Sequence, residues 1–474
     1  MKNMIRVGMA GAAFGLAFTA MTATADESLS TRAPVAENTT EGVSSPNVWV
    51  CSLPQAAYWG QNGGIRAFSI ATTSANKGNI NLQWVQNGQQ HPVISQDLYR
   101  FKDGIMEHVG MSWLKHGFCS LQQTGCGPCQ VQGGCLSFLK PGCSDPYSSA
   151  LNGQTNLLGP RSEVNATTGV FAWPHAQGST SVSSTIRSRL QVEDQYVNGA
   201  MNPNARWYFQ GQYVHPQDAQ SDLDNDNATI REIDFSNYNF PGGQAAITGL
   251  FVGGSIAEQT AIEQWAVLDS SVTVDYVDFG GTTDGGGRVI VASRVNQVNA
   301  TTWHYEYAVF NMNSDRSVGT FSVEKGSGAL ANNIGFHAPE YHSGEPYSNA
   351  PWPGSEGGSS VTWATESFAS NANANAIRWA TMYNFRFDSN AAPVSGVATL
   401  GLFKPGTPTT LTADVMVPGV GGCLGDINGD GVVDGADLAS MLSQWGGPGS
   451  GDLNGDGTVD GQDLANLLGS WGDC

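Results

Sequence analysis

Trp303-His304-Tyr305-Glu306-Tyr307-Ala308-Val309-Phe310 opens as an alternation of aromatic and polar residues and closes as an apolar run. That pattern is the one expected of a strand in a β-sandwich. Shorter runs of the same kind lie at Ile80 to Val85, Val272 to Phe279, Arg288 to Val295 and Val397 to Phe403, with turn-forming residues between them. Helical periodicity is scarce, and Ala257 to Leu268 is its best instance in the body. The expected fold class is mainly β, with a β-rich, disulfide-containing region over 46–250 and a β-sandwich over 251–405. Lys404-Pro405-Gly406-Thr407-Pro408-Thr409-Thr410 then leads into a linker, placed at 406–422.

Composition fits an exported scaffold. Charged residues are 13% of the chain and 60 residues are glycine, whereas an average soluble protein is roughly 25% charged. Met1 to Ala25 has a basic start (Lys2, Arg6), an apolar stretch and a small-residue cleavage site, Ala23-Thr24-Ala25, the three parts of a secretory signal peptide. Its apolar run is too short, and too interrupted by Thr and Gly, for a retained membrane anchor, and no later segment approaches a spanning length. Residues 26–45, rich in Ser, Thr, Glu and Pro, read as an unstructured leader. Removal of the signal leaves 21 − 2 = 19 cationic side chains against 41 acidic ones, a net of −22. That balance argues against a nucleic-acid partner. The expected location is secreted, extracellular or at the cell surface.

Eight cysteines in such a chain read first as four disulfides. Joining Cys423 to Cys474 would close a loop worth roughly 4 kcal/mol in the chain-entropy model. The pairing of Cys51, Cys119, Cys126, Cys129, Cys135 and Cys143 is left open by the sequence. Cys126-Gly127-Pro128-Cys129 spells a redox motif, yet it lacks the preceding strand and following helix that lower the thiol pKa. A zinc knuckle with His116 competes with oxidation outside the cell. A disulfide-stapled loop is the better reading.

The tail carries the sharpest motif. Gly-Asp-Ile-Asn-Gly-Asp-Gly-Val-Val-Asp-Gly-Ala-Asp at 425–437 returns as Gly-Asp-Leu-Asn-Gly-Asp-Gly-Thr-Val-Asp-Gly-Gln-Asp at 451–463. Oxygen-bearing side chains fall at loop positions 1, 3, 5, 9 and 12 with glycine at 6, the ligand order that a calcium loop needs. The expected ligands are Asp426, Asn428, Asp430, the Val432 carbonyl, Asp434 and Asp437 in the first loop. Asp452, Asn454, Asp456, the Thr458 carbonyl, Asp460 and Asp463 serve in the second. Four carboxylates per loop repel one another without a cation, which links calcium binding to folding. Behind the loops run apolar stripes, Leu438, Met441, Leu442 and Trp445, then Leu464, Leu467, Leu468 and Trp471, expected to bury each other. Gly- and Pro-rich segments precede both loops, so each repeat is half an EF-hand.

On these residues the tail, 423–474, resembles a type I dockerin at the end of a secreted, dockerin-anchored bacterial protein. The resemblance implies two calcium ions and attachment to a cohesin-like scaffold or a cell-surface protein, in a setting of polysaccharide breakdown. The positions dockerins often use for cohesin contact are Gly435, Ala436, Gly461 and Gln462 here, without the usual hydroxyl pair. The body also shares short phrases with that group, such as Trp113-Leu114-Lys115-His116-Gly117-Phe118, which imply an architecture and no activity.

Other candidate sites are thinner. Gly280 to Gly287 joins two strands as a hairpin loop, not as a dinucleotide cradle. Asp222, Asp224 and Asp226 form an Asp-x-Asp-x-Asp run that falls out of calcium-loop register at Asn227 and Ile233. His337, Glu340 and His342 carry metal-ligand chemistry, but Pro339 excludes a helical zinc face. Glycoside cleavage needs two carboxylates across a bond, and Asp145, Glu163, Glu193, Asp194, Glu306 and Glu340 are unpaired candidates. Trp59, Trp173, Trp352 and Trp363 offer sugar-stacking rings or core fillers. Three functions follow: a non-catalytic module tethered by its tail, with a polysaccharide as a candidate ligand; a glycoside hydrolase carried by the same tail; or a tail serving only export and surface sorting.

Overall fold

Strand Thr302–Asn311 runs antiparallel between Gly287–Asn299 and Thr381–Ser389. Tyr305, Tyr307 and Val309 enter one core, while Ala308 and Phe310 enter another. Successive side chains on a strand point to opposite faces, so a strand covered on both sides feeds two cores at once. That alternation fixes the layering of the body. The computed structural model describes residues 44–419, 425–428, 432–454 and 456–473. The signal peptide at 1–25, the leader up to residue 43, the end of the expected linker, Asp430 and the Cys423/Cys474 pair lie outside the described residues.

Four sheets stack in the body, and every strand pairing described is antiparallel. A three-stranded sheet (Val48–Ser52, Thr72–Asn76, Ser144–Tyr147) lies on an eleven-stranded one. Val48, Val50, Phe68, Trp207 and Phe209 fill the space between them. The far face of the large sheet, with Tyr99, Tyr208 and Ile230, packs on Ile290, Ala308 and Phe310 of a five-stranded sheet. The helix Ala261–Leu268 wedges Trp265 into that same layer. A second five-stranded sheet, holding Phe321, Trp363, Leu400 and Val415, closes the sandwich on Tyr305, Tyr307 and Phe385.

The middle layer also holds a polar seam. The buried guanidinium of Arg161 lies 2.6 Å from Asp97, which also faces His108 at 3.2 Å. Arg386 bridges Glu107 at 3.1 Å and Glu306 at 3.0 Å, and Asn384 donates to the Met106 carbonyl at 3.0 Å. These partners come from both sandwiches, so the layers are joined by directional bonds as well as apolar burial.

Several boundaries differ from the sequence reading. Strand Phe251–Ala257 pairs with Ala228–Ile233 of the large sheet, so the second sandwich begins at Thr273 and not at 251. The stretch taken as a linker, 406–422, contains strand Thr410–Pro418, paired along its length with Pro393–Leu402. Leu411, Ala413, Val415 and Val417 alternate into the core, and the Pro/Gly/Thr segment before them is pinned by Arg316, which donates to the carbonyls of Lys404 and Pro408 at 2.8 Å each. The run from Ile80 contributes only the two-residue strand Leu82–Gln83, because Trp84 turns into the first core.

Candidate functional site

The second tail loop shows how its sequence folds. Asp452 accepts the N–H of Gly457 at 2.7 Å and of Asp456 at 3.2 Å. Asn454 accepts Asp456 N–H at 2.9 Å, and Asp456 accepts Thr458 N–H at 3.0 Å. Each short side chain thus curls onto the backbone just ahead of it, which suits Asp and Asn. Gly457, at position 6, has φ +92°, where a side chain would be strained.

Position 12 closes both loops in the same way. Asp437 is fully buried and accepts the N–H groups of Ile427 at 2.8 Å, Asn428 at 3.0 Å and Asp434 at 2.9 Å. Asp463 repeats this with Leu453 at 2.8 Å, Asn454 at 3.0 Å and Asp460 at 2.8 Å. Those backbone donors, led by Asp434 and Asp460, hold both carboxyls below their usual range. Asp434 and Asp460 cap the helices Gly435–Ser443 and Gly461–Gly469, completing a reciprocal box with Asp437 and Asp463.

Among the described residues, no three His, Cys, Asp or Glu side chains already converge on one point. The carboxylates of Asp434, Asp437, Asp452, Asp456, Asp460 and Asp463 accept nearby backbone N–H groups, and at position 12 one oxygen of Asp437 and one of Asp463 takes two of them. The donor set fits a hard cation, since every ligand position offers oxygen and none offers nitrogen or sulfur.

Mutual burial of the two stripes is only partial. Met441 and Leu467 are buried with Val433 and Val459, and Leu438 and Leu464 pack at the margin. Leu442, Trp445, Leu468 and Trp471 are 51%, 48%, 53% and 49% exposed. Two nine-residue helices cover one another along a single line, so the outer half of each stripe faces outward. Gly435, Ala436, Gly461 and Gln462 are exposed at the helix starts. Among the described residues no helix is long and apolar enough to cross a membrane.

In the body the three disulfides are Cys51–Cys126, Cys119–Cys135 and Cys129–Cys143. Cys126 and Cys129 therefore bond to different partners, and the Cys-Gly-Pro-Cys stretch forms no redox pair. The thiols of a zinc knuckle are consumed as well, and His116 faces His91 Nε2 at 3.1 Å. His337 and His342 turn to the carbonyls of His108 at 3.0 Å and Met111 at 2.7 Å. Gly280 to Gly287 is the hairpin loop between Thr273–Phe279 and Gly287–Asn299.

The candidate carboxylates separate by location. Asp145 is buried on the Leu121 N–H, and burial pushes it up to about 7. Asp194 pairs with Arg66, Glu306 pairs with Arg386, and Glu163 accepts Ala176 N–H at 3.1 Å. Glu193 and Glu340 alone share a cleft, of about 90 Å³, with Tyr196 and His337. Burial and then the Glu193 charge raise the Glu340 carboxyl above its usual value. Their meeting joins residues far apart in sequence, which no local pattern announces. Trp352 and Trp363 are core residues, Trp59 stacks under Arg189 at 3.8 Å, and Trp173 is half-buried among His91, His116 and His175.

No protein-family model matches the chain. No curated protein matches it either. Among solved structures, it is similar to a serine-rich repeat adhesion glycoprotein (Srr1) from Streptococcus agalactiae, at 10% identity over 74% of this chain and 88% of that one. The TM-score of 0.19 is too low for that likeness to carry any conclusion.

Proposed function

We propose that the tail is a calcium-folded tether holding a non-catalytic β-sandwich body to a cohesin-like or surface-bound partner, in a polysaccharide-processing setting. The carrying observation is the duplicated closure of the two loops, in which Asp437 and Asp463 each gather three backbone N–H groups. Calcium would be held by Asp426, Asn428, Asp430, the Val432 carbonyl, Asp434 and Asp437, and by Asp452, Asn454, Asp456, the Thr458 carbonyl, Asp460 and Asp463. Bound there, it neutralises the carboxylates and couples ion binding to folding. The exposed Leu442/Trp445 and Leu468/Trp471 pairs supply an apolar surface for a partner. The test is calorimetric titration of the calcium-stripped chain against an Asp437→Ala/Asp463→Ala variant. Loss of two binding events in the variant supports the tether; identical isotherms refute it.

A second reading, glycoside hydrolysis, is favoured by the shared cleft of Glu193 and Glu340. There Glu340, whose carboxyl is raised by burial and by the Glu193 charge, would act as the acid and Glu193 as its partner. Reducing-end release from a polysaccharide panel, abolished by Glu340→Gln, supports it. Retention on a polymer without release supports the non-catalytic body. Export sorting alone is supported by recovery of mature chain lacking 423–474.

A further inference from the structure

The loop that follows the short helix Pro216–Gln220 concentrates buried acid without matching positive charge. Asp218 is 0% exposed, and Asp224 and Asp226 are 8% exposed each. Among the described residues, the cation paired with them is Lys77, 2.7 Å from Asp226, and it is shared with Glu258 at 2.6 Å. Buried carboxylates without compensation are costly.

A second observation is independent of that charge. Three acceptor oxygens around the loop, Asn47 Oδ1, Asp226 Oδ1 and Asn227 Oδ1, are buried without a donor in good hydrogen-bond geometry, and the Asn47 side chain lies against the Asp226 carboxylate. Their residues are fixed by other bonds. Asn227 Nδ2 donates to Asp218 Oδ2 at 2.6 Å and to the Tyr213 carbonyl at 3.1 Å. Asp218 Oδ1 accepts the N–H of Val48, next to Asn47, at 3.1 Å. Lys77 bonds the Asn47 carbonyl through its backbone N–H at 2.8 Å. The orphaned oxygens therefore belong to one neighbourhood, and acceptors left bare there need a donor or a cation.

We propose that this neighbourhood binds a calcium ion through Asp226 and the amide oxygens of Asn47 and Asn227, with Asp218 and Asp224 supplying the surrounding negative charge. The set is oxygen only and mixes carboxylate with amide, which suits a hard cation with irregular coordination better than magnesium or a transition metal. It explains why the Asp-x-Asp-x-Asp run is out of register for a calcium loop: the ligands come from residue 47 as well as from the run itself. The site stands apart from the tail loops and does not depend on their reading.

The experiment counts bound calcium on the full chain, by dialysis at low free calcium followed by metal analysis. It compares wild type, Asp226→Asn, Asn47→Ala and Asp437→Ala/Asp463→Ala. Three ions in wild type, two in Asp226→Asn and one in the tail variant are expected, with at least tenfold weaker binding at the lost site. Asn47→Ala, the milder change, should weaken one site several-fold while leaving the melting transition in place, and it decides the matter if Asp226→Asn does not fold. Two ions in wild type and none in the tail variant would overturn this site and leave the tether standing. One ion, kept by the tail variant and lost in Asp226→Asn, would do the reverse. Unchanged binding in a folded Asp226→Asn or Asn47→Ala variant refutes the proposal outright, because buried water then satisfies the orphaned oxygens.

Discussion

Body and tail solve the problem of staying folded by different means. The body buries whole aromatic strands on both faces, with Trp207, Tyr307, Trp363 and Phe385 at 0% exposure, and pins its loops with three disulfides. The described part of the tail fully buries four apolar residues, Val433, Met441, Val459 and Leu467. So small a core cannot offset the ordering of two loops and two helices. On the proposed reading, its remaining cohesion would come from a cation joining carboxylates that otherwise repel one another. The body is stabilised by what it excludes from water, and on the proposed reading the tail would be stabilised by what it recruits from water.

The contrast is sharpened most by removing a large core side chain. Trp363 packs at tilted angles among Phe321, Phe385 and Phe387 in the second sandwich. Trp363→Ala should destabilise the body by about 3–5 kcal/mol through the cavity it leaves. Differential scanning calorimetry should show the body transition falling while a calcium-loaded tail transition stays in place. A matched fall in both would mean that the two regions unfold as one.

Chelation is the complementary break and should act on the tail. Free calcium at a thousand times its dissociation constant contributes about 4 kcal/mol per site, and stripping it should abolish helical ellipticity from Gly435–Ser443 and Gly461–Gly469. The body's disulfide-stapled sheets should keep their near-ultraviolet spectrum, apart from local change near Asp226. A tail that keeps its helices in chelator would show that its four-residue core suffices.

Much of this contrast was legible in the sequence, but unevenly. Strands Gly287–Asn299 and Thr302–Asn311 were visible because alternation and apolar runs report burial directly. Thr410–Pro418 carried the same alternation, at Leu411, Ala413, Val415 and Val417, yet the Pro/Gly/Thr run before it masked the signal. The paired acidic turns and the helices behind them were legible because their spacing is local. The exposure of Leu442, Trp445, Leu468 and Trp471 was not, since a helical stripe does not say how wide its cover is. Disulfide pairing, the Glu193/Glu340 cleft and the Asn47, Asp218 and Asn227 cluster depend on long-range approach, to which periodicity is blind.

Within the body, a single buried amine tests whether exclusion from water is as complete as its aromatic core implies. Lys115 lies 4.5 Å from the Tyr147 ring and donates to the His116 carbonyl at 2.5 Å. Burial lowers its amine to about 7. Because the folded value lies below the ordinary one, the penalty is greatest below pH 7 and fades as pH climbs toward the unfolded value. Lys115→Met should therefore stabilise the body by about 2 kcal/mol at pH 6 and by less at pH 9, as read from denaturant midpoints. A loss of stability at pH 6 would show that the amine's bonds outweigh its desolvation.

Acid should separate the regions by sign, with the smallest effect. Asp437 and Asp463 have carboxyls held below their usual range by backbone N–H groups. Their contribution is fully present above the ordinary carboxyl value of about 4 and is lost as pH falls through their lower folded values. Asp145 is raised to about 7 by burial, so the folded body keeps a proton that the unfolded chain has released, and its stability rises as pH falls from 7 toward 4. Acidifying calcium-loaded protein from pH 7 to 4 should raise the body's midpoint slightly without helping the tail, and further acidification should melt the tail first. Parallel acid curves for both regions would mean that the tail's buried carboxylates are no more dependent on their charge than the body's, and the contrast between exclusion and recruitment would fail at its most direct point.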